Sequence, residues 1–516
     1  MTVLHPVDYA IVGLYLLAVI VICIRVTRRE PDMDELFLAG RELGPGVIGL
    51  SLFASNISST TLIGLPGAAW QSGISVANYE WMAALVLVFT AVFVAPVLIG
   101  ARLTTMPELL ERRFDARMRR YLSATSLFLS VVLDTAGSLY AGALVLMLFI
   151  PGLTLGATCA GMAIFAGVYT AAGGLRAVAY TDVIQALVLL LGSLVLATIV
   201  FAQFDFSWSL VTAQIAPDKL SLLRPLDDPA LPWLGTLIGL PILGFYYWTM
   251  NQYVIQRVLG ARDMGAAGRG ALLAAALKLL PLFLMVMPGA MATVLLPDLN
   301  RADTVFPRLI IQYAPVGIAG LMLAGLMAAI MSSVDSALNS ASTLVIVDFV
   351  QPHEPNLSPK ALARWGRITT IVMMLLAALW APMIEHFQGL FAYLQQAFAY
   401  VTAPLVAVFA AGFLSRRLGA EAAFRATVSG HLISAAWFTA TQLGWLHVHF
   451  TIVAGILFAI TLIAAYLWQA LNGLAPATQA QIGAIALAER PTVPRDVLIG
   501  AAAVTLATAV IVFIFR

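Results

Sequence analysis

The sequence predicts an all-α polytopic membrane protein with about 14 transmembrane helices, and three observations lead to that fold class. Of the 516 residues, 61% are hydrophobic and only 10% are charged, whereas soluble domains carry about 25% charged residues. About fourteen apolar runs reach the roughly 20 residues that a helix needs to cross the hydrocarbon core. Basic residues fall mainly in alternate loops between these runs.

Each apolar run is a predicted span. The spans are residues 8–27, 45–66, 77–100, 121–150, 152–173, 179–202, 231–255, 271–296, 314–347, 367–385, 391–415, 421–444, 449–471 and 496–515. The first run is too long for a signal-peptide core and lacks a small-residue cleavage motif, so it is expected to remain as a span. The longest polar stretches, 204–232 and 475–494, are too short to bury a core of their own. No soluble domain is therefore expected.

The distribution of basic residues predicts the orientation of the chain. Loops after odd-numbered spans hold 22 of the 28 Lys and Arg residues, and the opposite face holds five. The remaining one, Lys278, lies inside the eighth predicted span. Because cytoplasmic loops carry an excess of Lys and Arg, this parity favours an even number of spans. It predicts a multi-pass protein of the cell (plasma or inner) membrane with both termini outside.

Composition argues against several other classes of protein. The net charge of +2 gives no reason to expect a nucleic-acid partner. Cys23 and Cys159 both lie in apolar runs, so neither a disulfide framework nor a cysteine metal cluster is expected. The sequence offers no nucleophile–base set and no phosphate-binding loop, so an enzyme is not expected. The expected partners are the lipid bilayer and a small solute, with no obligatory protein partner.

Two predicted spans contain features that break helices. The second contains the polar stretch 54–61 followed by Pro66, and the seventh contains Pro241 and Gly244 before the aromatic stretch 246–248. Paired discontinuous helices five spans apart are typical of transporters built from inverted repeats. Unwound backbone at membrane depth is tolerated only around a cavity. The alternative is a pair of ordinary proline kinks beside a helix contact lined by Ser and Thr.

Charged residues also lie in or at the ends of predicted spans, where each one near the bilayer centre costs about 2.5–3.5 kcal/mol. They are Glu80, Asp134, Asp182, Lys278 and Asp335. Lys278 is the only basic residue predicted deep in a span, so it should pair with Glu80 or Asp134. A structural salt bridge without a ligand is the alternative. Asp182 follows a Gly-Gly pair near the inner surface, where one interpretation is a helix N-cap.

The ninth predicted span carries serines at helical spacing. Ser332 and Ser336 are four residues apart and share a helix face, with Ser333 and Asp335 beside them. Hard cations such as sodium prefer oxygen ligands, so this hydroxyl-rich face is a candidate cation site. Serines in membrane helices also permit close helix packing, and that alternative stays open.

Longer sequence blocks connect these features. They are SLFASNIS at 51–58, NYEWM at 78–82, TMPELLERRF at 105–114, GGLRAVAYTDVIQ at 173–185, YYWTMNQYVIQR at 246–257, LKLLPLFLMVMPG at 277–289 and AAIMSSVDSALNS at 328–340. In these blocks the chain resembles the sodium/solute symporters, most closely the sodium/glucose and bacterial sodium/galactose cotransporters. The blocks run in family order over about residues 5–470, which makes the resemblance specific.

The resemblance implies a core of ten helices in two inverted five-helix repeats (LeuT-like), with alternating access around a central site. The expected divisions are an extra N-terminal helix in 1–30, a first repeat in 45–202, a second repeat in 231–415 and three extra helices in 421–516.

The resemblance also implies sodium as the coupling ion. The implied sodium ligands are the carbonyls of Ala54, Ile57 and Ala329 with the hydroxyls of Ser332 and Ser333. Some relatives have a second sodium site further inward, which Asp182, Ser332 and Ser336 match. Asp335 stands where those relatives have a serine, and its carboxylate could bind sodium or take a proton.

The solute site and its gates follow from the same resemblance. The implied solute contacts are Asn56, Thr61, Glu80, Asp134, Tyr247, Trp248, Lys278 and Gln395. Tyr247 and Trp248 match an inner aromatic gate, and Leu65, Tyr79 and Phe391 match the outer side. Thr61, Asp134 and Gly244 depart from the family pattern, which leaves the identity of the solute open, because hydrogen-bonding sites discriminate by the donors and acceptors they present.

The sequence therefore predicts a sodium-coupled symporter that imports a sugar or polyol by alternating access. One alternative keeps sodium but changes the cargo to a carboxylate, an amino acid or a nucleoside-like solute. The other is a transporter-like sensor that binds solute without moving it, against which the lack of a soluble signalling domain counts.

Overall fold

The computed structural model describes residues 5–26, 33–150, 152–386, 390–471, 474–483 and 491–516. Within these ranges the regular structure is helical, and the extended pairing is limited to one isolated bridge between Leu43 and Ala261. The predicted all-α class is confirmed.

The helices are numbered in chain order. They are α1 (Pro6–Val26), α2 (Met33–Leu38), α3 (Pro45–Asn56), α4 (Ser59–Ser72), α5 (Asn78–Phe89), α6 (Ala95–Gly100), α7 (Met106–Arg113), α8 (Ala116–Leu129), α9 (Ala136–Phe149), α10 (Leu155–Ala202), α11 (Trp208–Gln214), α12 (Trp233–Phe245), α13 (Gln252–Leu259), α14 (Met264–Leu277), α15 (Met287–Leu295), α16 (Val305–Tyr313), α17 (Ile318–Leu344), α18 (Pro359–Trp380), α19 (Leu390–Leu414), α20 (Ala420–Gln442), α21 (Phe450–Leu471), α22 (Gln479–Gly483) and α23 (Arg495–Ile514). Short π-helical segments join or extend several of them, at Thr90–Val94, Ser130–Thr135, Tyr246–Met250, Leu282–Val286 and Val345–Val350.

The described residues contain 10 helical segments long and apolar enough to cross a membrane, or 11 if the bent pair α3 and α4 is one span. Two further predicted spans, 231–255 and 421–444, correspond to the 13-residue α12 and to α20. The predicted spans 152–173 and 179–202 form one continuous helix of 48 residues, α10. The count of fourteen therefore stays a prediction.

Both predicted spans contain a break, but not at the prolines, since Pro66 lies inside α4 and Pro241 and Gly244 lie inside α12. α3 and α4 meet at an angle of 57°, across Ile57 with its non-helical backbone (φ −74°, ψ 67°). α12 runs into a π-helical segment that stops at the extended residue Asn251. A side-chain cap starts the helix after each break, since Ser58 accepts from the Thr61 N–H at 3.3 Å and Asn251 from the Tyr253 N–H at 3.1 Å. Polar side chains thus replace backbone bonds that the breaks remove.

The central helix α17 is the scaffold for the candidate sites. It packs along α10 and α1, and it also contacts α3 and α4. The buried carboxylate of Asp8 on α1 accepts from the N–H groups of Gly317 and Gly320 at 2.7 and 2.8 Å, and so caps α17 from a neighbouring helix. Negative charge at a helix N-terminus is favourable, so this contact anchors α1 to α17.

Candidate solute and cation sites

The break between α3 and α4 lies against the serine-bearing face of α17. The last carbonyls of a helix lack intrahelical partners. Here the Ser55 carbonyl accepts a hydrogen bond from the Tyr253 hydroxyl. The Ser55 hydroxyl oxygen lies 3.3 Å from that of Ser336 on α17. Ala54 and Ile57, whose carbonyls are predicted sodium ligands, are both fully buried at this break.

The predicted sodium ligands of α17 are buried and hydrogen-bonded. The Ser333 hydroxyl donates to the carbonyl of Ala329 at 2.8 Å, and the Ser332 hydroxyl donates to Asp182 Oδ1 at 2.6 Å. A hydroxyl that donates its one proton keeps two acceptor lone pairs. Both hydroxyl oxygens therefore remain able to contact a cation.

The residues predicted to contact solute surround one cavity of about 110 Å³. All eight contribute to its wall: Asn56, Thr61, Glu80, Asp134, Tyr247, Trp248, Lys278 and Gln395. They come from separate stretches of the chain, so the fold brings together residues that are far apart in sequence. We call this space the central cavity.

Lys278 pairs with Glu80, one of its two predicted partners. Its Nζ forms an ion pair with Glu80 Oε2, donates to the side-chain oxygen of Asn56, and lies 5.5 Å from the centre of the Trp248 ring. The Lys278 side chain is fully buried. One ammonium thus connects α5, the end of α3 and the aromatic segment after α12, and its charge is met by a carboxylate and a π face.

Asp134 lies in the cavity wall within the π-helical segment Ser130–Thr135. Its Oδ2 atom is buried and makes no hydrogen bond to any residue that the structure describes. Tyr247 and Trp248 also belong to a π-helical segment, and such segments occur frequently at functional sites. The central cavity therefore holds two carboxyl groups and one amine, with an acceptor atom available to a ligand.

Comparison with known proteins shows the family of this chain. A model of the sodium:solute symporter family matches residues 36–430. This chain belongs to the sodium:solute symporter family. It is 34% identical over 468 residues to human (Homo sapiens) sodium/myo-inositol cotransporter 2, covering 83% of this chain and 69% of that protein. It is 32% identical over 478 residues to sodium/glucose cotransporter 2 of Rattus norvegicus, covering 84% and 71%.

A solved structure supports the fold. The substrate-bound, outward-open state of a Na⁺-coupled sialic acid symporter superposes with a TM-score of 0.80 at 24% identity, covering 92% of this chain and 99% of that one. The symporter described here is thus a multi-pass membrane protein with the fold of sodium-coupled carriers, as its sequence predicts.

A pair of aromatic residues separates the central cavity of the symporter from a second, larger one. Tyr79 and Phe391 line both cavities, and their rings meet edge to face with centroids 5.2 Å apart. The second cavity, the vestibule, has a volume of about 640 Å³. Leu65, the third predicted member of this gate, is fully buried in the apolar cluster that both rings contact.

The residues predicted for a second sodium site also lie together. Asp182 lies inside α10, where no helix begins, because the helix continues through the Gly-Gly pair. The N-cap interpretation is therefore wrong. Asp182 Oδ2 instead accepts from the Ser51 hydroxyl at 2.5 Å and from Arg257 Nη2 at 3.2 Å. The Ser336 hydroxyl donates to Asp335 Oδ1 at 3.3 Å.

The partner of Asp182, Arg257, is a residue that the sequence pattern misplaces. Counting apolar runs puts Arg257 in a basic loop, but α13 begins directly after the break at Asn251 and keeps this arginine fully buried. Arg113 is buried too. Its guanidinium donates to the carbonyls of Gly412, Ser415 and Leu418. Among the described residues, Lys278 is therefore one of at least three fully buried basic side chains.

Proposed function

We propose that this symporter couples the inward movement of sodium to the uptake of a sugar or a cyclic polyol by alternating access. The observation that carries the proposal is the convergence of all eight predicted solute residues on one cavity. The named relatives, which carry myo-inositol and glucose, support the same class of cargo.

The chemistry of the central cavity suits a neutral, hydroxyl-rich ring. Each hydroxyl of a polyol is both a donor and an acceptor. Asp134 and Glu80 supply acceptors, Lys278 supplies donors, and the side-chain amide of Gln395 supplies both. Tyr247 and Trp248 add aromatic faces for the apolar side of the ring. Two carboxyl groups against one amine also disfavour a strongly anionic cargo.

Sodium would be held by five neutral oxygens, from Ala54, Ile57, Ala329, Ser332 and Ser333. Such a set suits a monovalent hard cation, because it offers oxygen ligands without excess negative charge. An ion at this position would connect the α3–α4 break to α17. Asn56, at the end of α3, also lines the central cavity, so sodium and solute would each strengthen binding of the other, with one coupling free energy.

The outer gate sets the expected order of events. The central cavity is smaller than the roughly 300 Å³ of ordinary small-molecule sites. Admission of solute would therefore require Tyr79 and Phe391 to separate and join the cavity to the vestibule. Residues of the loops predicted to lie outside, including Pro229 and Arg301, line the vestibule. In this proposal the vestibule opens to the outside of the cell membrane, and both termini lie on that same side.

Thermal-shift measurements on the purified symporter test the assignment. The panel contains myo-inositol, glucose, galactose, mannose and mannitol, each in sodium and in potassium chloride. A true substrate should stabilise the protein more when sodium is present, since binding to the folded state adds stability. Ser332→Ala and Ser333→Ala should each remove the part of this stabilisation that depends on sodium.

Ser342→Ala is a matched control on the same helix, because the Ser342 hydroxyl is buried but donates to the carbonyl of Gly366, away from the site. It should keep the full sodium effect. Unchanged sodium dependence in both Ser332→Ala and Ser333→Ala would refute the sodium assignment, and a panel without any sodium-enhanced sugar or polyol would refute the cargo.

The available oxygen of Asp134 favours one second candidate, a sodium symporter for a cargo that carries an amine, such as an amino acid. A simple carboxylate fits less well, because the Glu80 carboxylate already neutralises the charge of Lys278. Amino acids and nucleosides therefore join the panel. Counterflow of labelled solute in vesicles separates every transport hypothesis from a sensor that binds without moving its ligand.

A further inference from the structure

A buried ionic cluster lies next to Ser332, one of the two serines proposed to bind sodium. Arg257 Nη2 is 3.2 Å from Asp182 Oδ2 and donates to the Ser55 hydroxyl at 2.7 Å, and Arg257 Nε donates to the Ser51 hydroxyl at 3.0 Å. The side chains of Asp182 and Arg257 are both 0% exposed. The cluster joins α3, α10, α13 and α17, and it contacts the proposed sodium ligands through Ser332.

We infer that Asp182 and Arg257 are positioning residues for the sodium site on which the proposed function rests. Asp182 accepts a hydrogen bond from the Ser332 hydroxyl and so directs the lone pairs of that hydroxyl toward the ion. Arg257 holds the Asp182 carboxylate in place. Neither residue is itself a sodium ligand in this assignment.

The hydrogen bonds and the positive charge around Asp182 support this role over that of a ligand. An ionised carboxylate offers about four lone-pair sites. Four donors already occupy this one, namely Ser332 on Oδ1, and Ser51, Ser55 and Arg257 on Oδ2. Oδ2 is therefore fully used, and only Oδ1, which already accepts from Ser332, keeps a lone pair. The Arg257 guanidinium also contacts both Asp182 and Ser336, so its positive charge lies beside two of the residues predicted to bind a second sodium.

The direction of the Ser332 hydroxyl explains what Asp182 contributes. A serine in a helix readily donates to the carbonyl four residues earlier, as Ser333 does to Ala329. Without Asp182, Ser332 would have the same option with Ala328, and its lone pairs would rotate. Mutating groups that orient metal ligands from behind typically costs about 10–100-fold in metal affinity. A loss within that range is expected here.

Sodium titration of the purified symporter, followed by thermal shift and by binding of ²²Na⁺, tests the inference without needing a substrate. Asp182→Asn should raise the sodium midpoint about 10–100-fold. Arg257→Lys keeps the charge but loses the forked geometry, and should raise the midpoint less. Adding Asp182→Asn to Ser332→Ala should cause no further loss of sodium affinity, because Asp182 acts through the Ser332 hydroxyl.

Asp348 is a matched control. Its fully buried carboxylate accepts hydrogen bonds from Thr105, Ser123 and Arg119, in a cluster that contains none of the proposed sodium ligands. Asp348→Asn should leave the sodium midpoint within about twofold. If Asp182→Asn does not fold, Arg257→Lys and its double variant with Ser332→Ala carry the test.

Three results would overturn the inference. The first is an unchanged sodium midpoint in Asp182→Asn. The second is a further loss when the Asp182 and Ser332 changes are combined. The third is wild-type binding of two sodium ions that falls to one in Asp182→Asn, which would make Asp182 a ligand. Failure of the proposed function is distinguishable, because sodium would then not stabilise the wild type, or Ser332→Ala and Ser333→Ala would both respond to sodium normally.

Discussion

The ion pair between Lys278 and Glu80 gives the sharpest test of how the central cavity works. Both charged groups are buried, with side-chain exposures of 0% and 9%. Lys278→Met leaves the Glu80 carboxylate without its counter-charge. Glu80→Gln leaves the ammonium with Asn56 and the face of Trp248. The double variant removes both charges together.

The expected magnitudes differ between stability and binding. Removing one partner of a buried ion pair costs about 3–5 kcal/mol, whereas replacing both by residues of similar volume is often neutral or stabilising. At about 2 °C per kcal/mol, Lys278→Met should lower the melting temperature by about 6–10 °C. The double variant should recover most of that loss. Loss of one hydrogen bond from a charged group to solute costs about 1.5–3 kcal/mol, or about 12- to 150-fold in affinity.

The assay combines melting temperature without solute and the solute concentration that gives half-maximal stabilisation in sodium. The double variant should be nearly as stable as the wild type yet bind solute at least tenfold more weakly. The reasoning is refuted if the double variant binds solute like the wild type, because the pair would then be purely structural. Wild-type stability in Lys278→Met would refute it too.

Three other predictions concern the gate, pH and helix packing. Phe391→Ala should remove the contact with Tyr79 and speed solute dissociation more than tenfold in stopped-flow binding, and an unchanged rate contradicts the gate. Burial lowers the pKa of His449 to about 4. The unfolded chain therefore binds a proton first, and stability falls as pH drops from about 6.5 to 4. His449→Gln should flatten that part of the melting-temperature profile; an equally steep profile argues otherwise. A Cβ on Gly289 would lie 2.4 Å from the Pro66 carbonyl oxygen, so Gly289→Ala should cost about 1–3 kcal/mol in thermal melts, and wild-type melting contradicts this.

The family and the all-helical fold can be predicted from the sequence because their signals are local and strong. Apolar runs follow directly from the bilayer as solvent, and a charged residue inside such a run is costly enough to need a reason. Lys278 and Glu80 are therefore identifiable from the amino-acid sequence alone. The polar stretch at 54–61 likewise predicts the break between α3 and α4.

The cluster around Arg257 cannot be predicted in the same way. Counting apolar runs assigns every arginine at the end of a run to a loop, but a helix that restarts after a break can carry one into the interior. The NQYVIQR sequence directly after the break is the available signal. The continuity of α10 is hidden for a related reason. A Gly-Gly pair lowers helix propensity by about 1 kcal/mol per residue without compelling the helix to end.

The π-helical segments show another limit of sequence patterns. Asp134, Tyr247 and Trp248 lie in segments where the helical register shifts by one residue per turn. A regular 3.6-residue period therefore does not give the direction of these side chains. Resemblance to the family assigns them to the solute site, and all three line the central cavity in the structure.

Uptake of labelled myo-inositol into proteoliposomes under an inward sodium gradient tests sodium-coupled transport most directly. Sodium coupling at the α17 serines predicts accumulation above the outside concentration, lost when potassium replaces sodium and lost in the Ser332→Ala/Ser333→Ala double variant, but kept in Ser342→Ala. Accumulation that persists in potassium, or in the double variant under the same gradient, would contradict it.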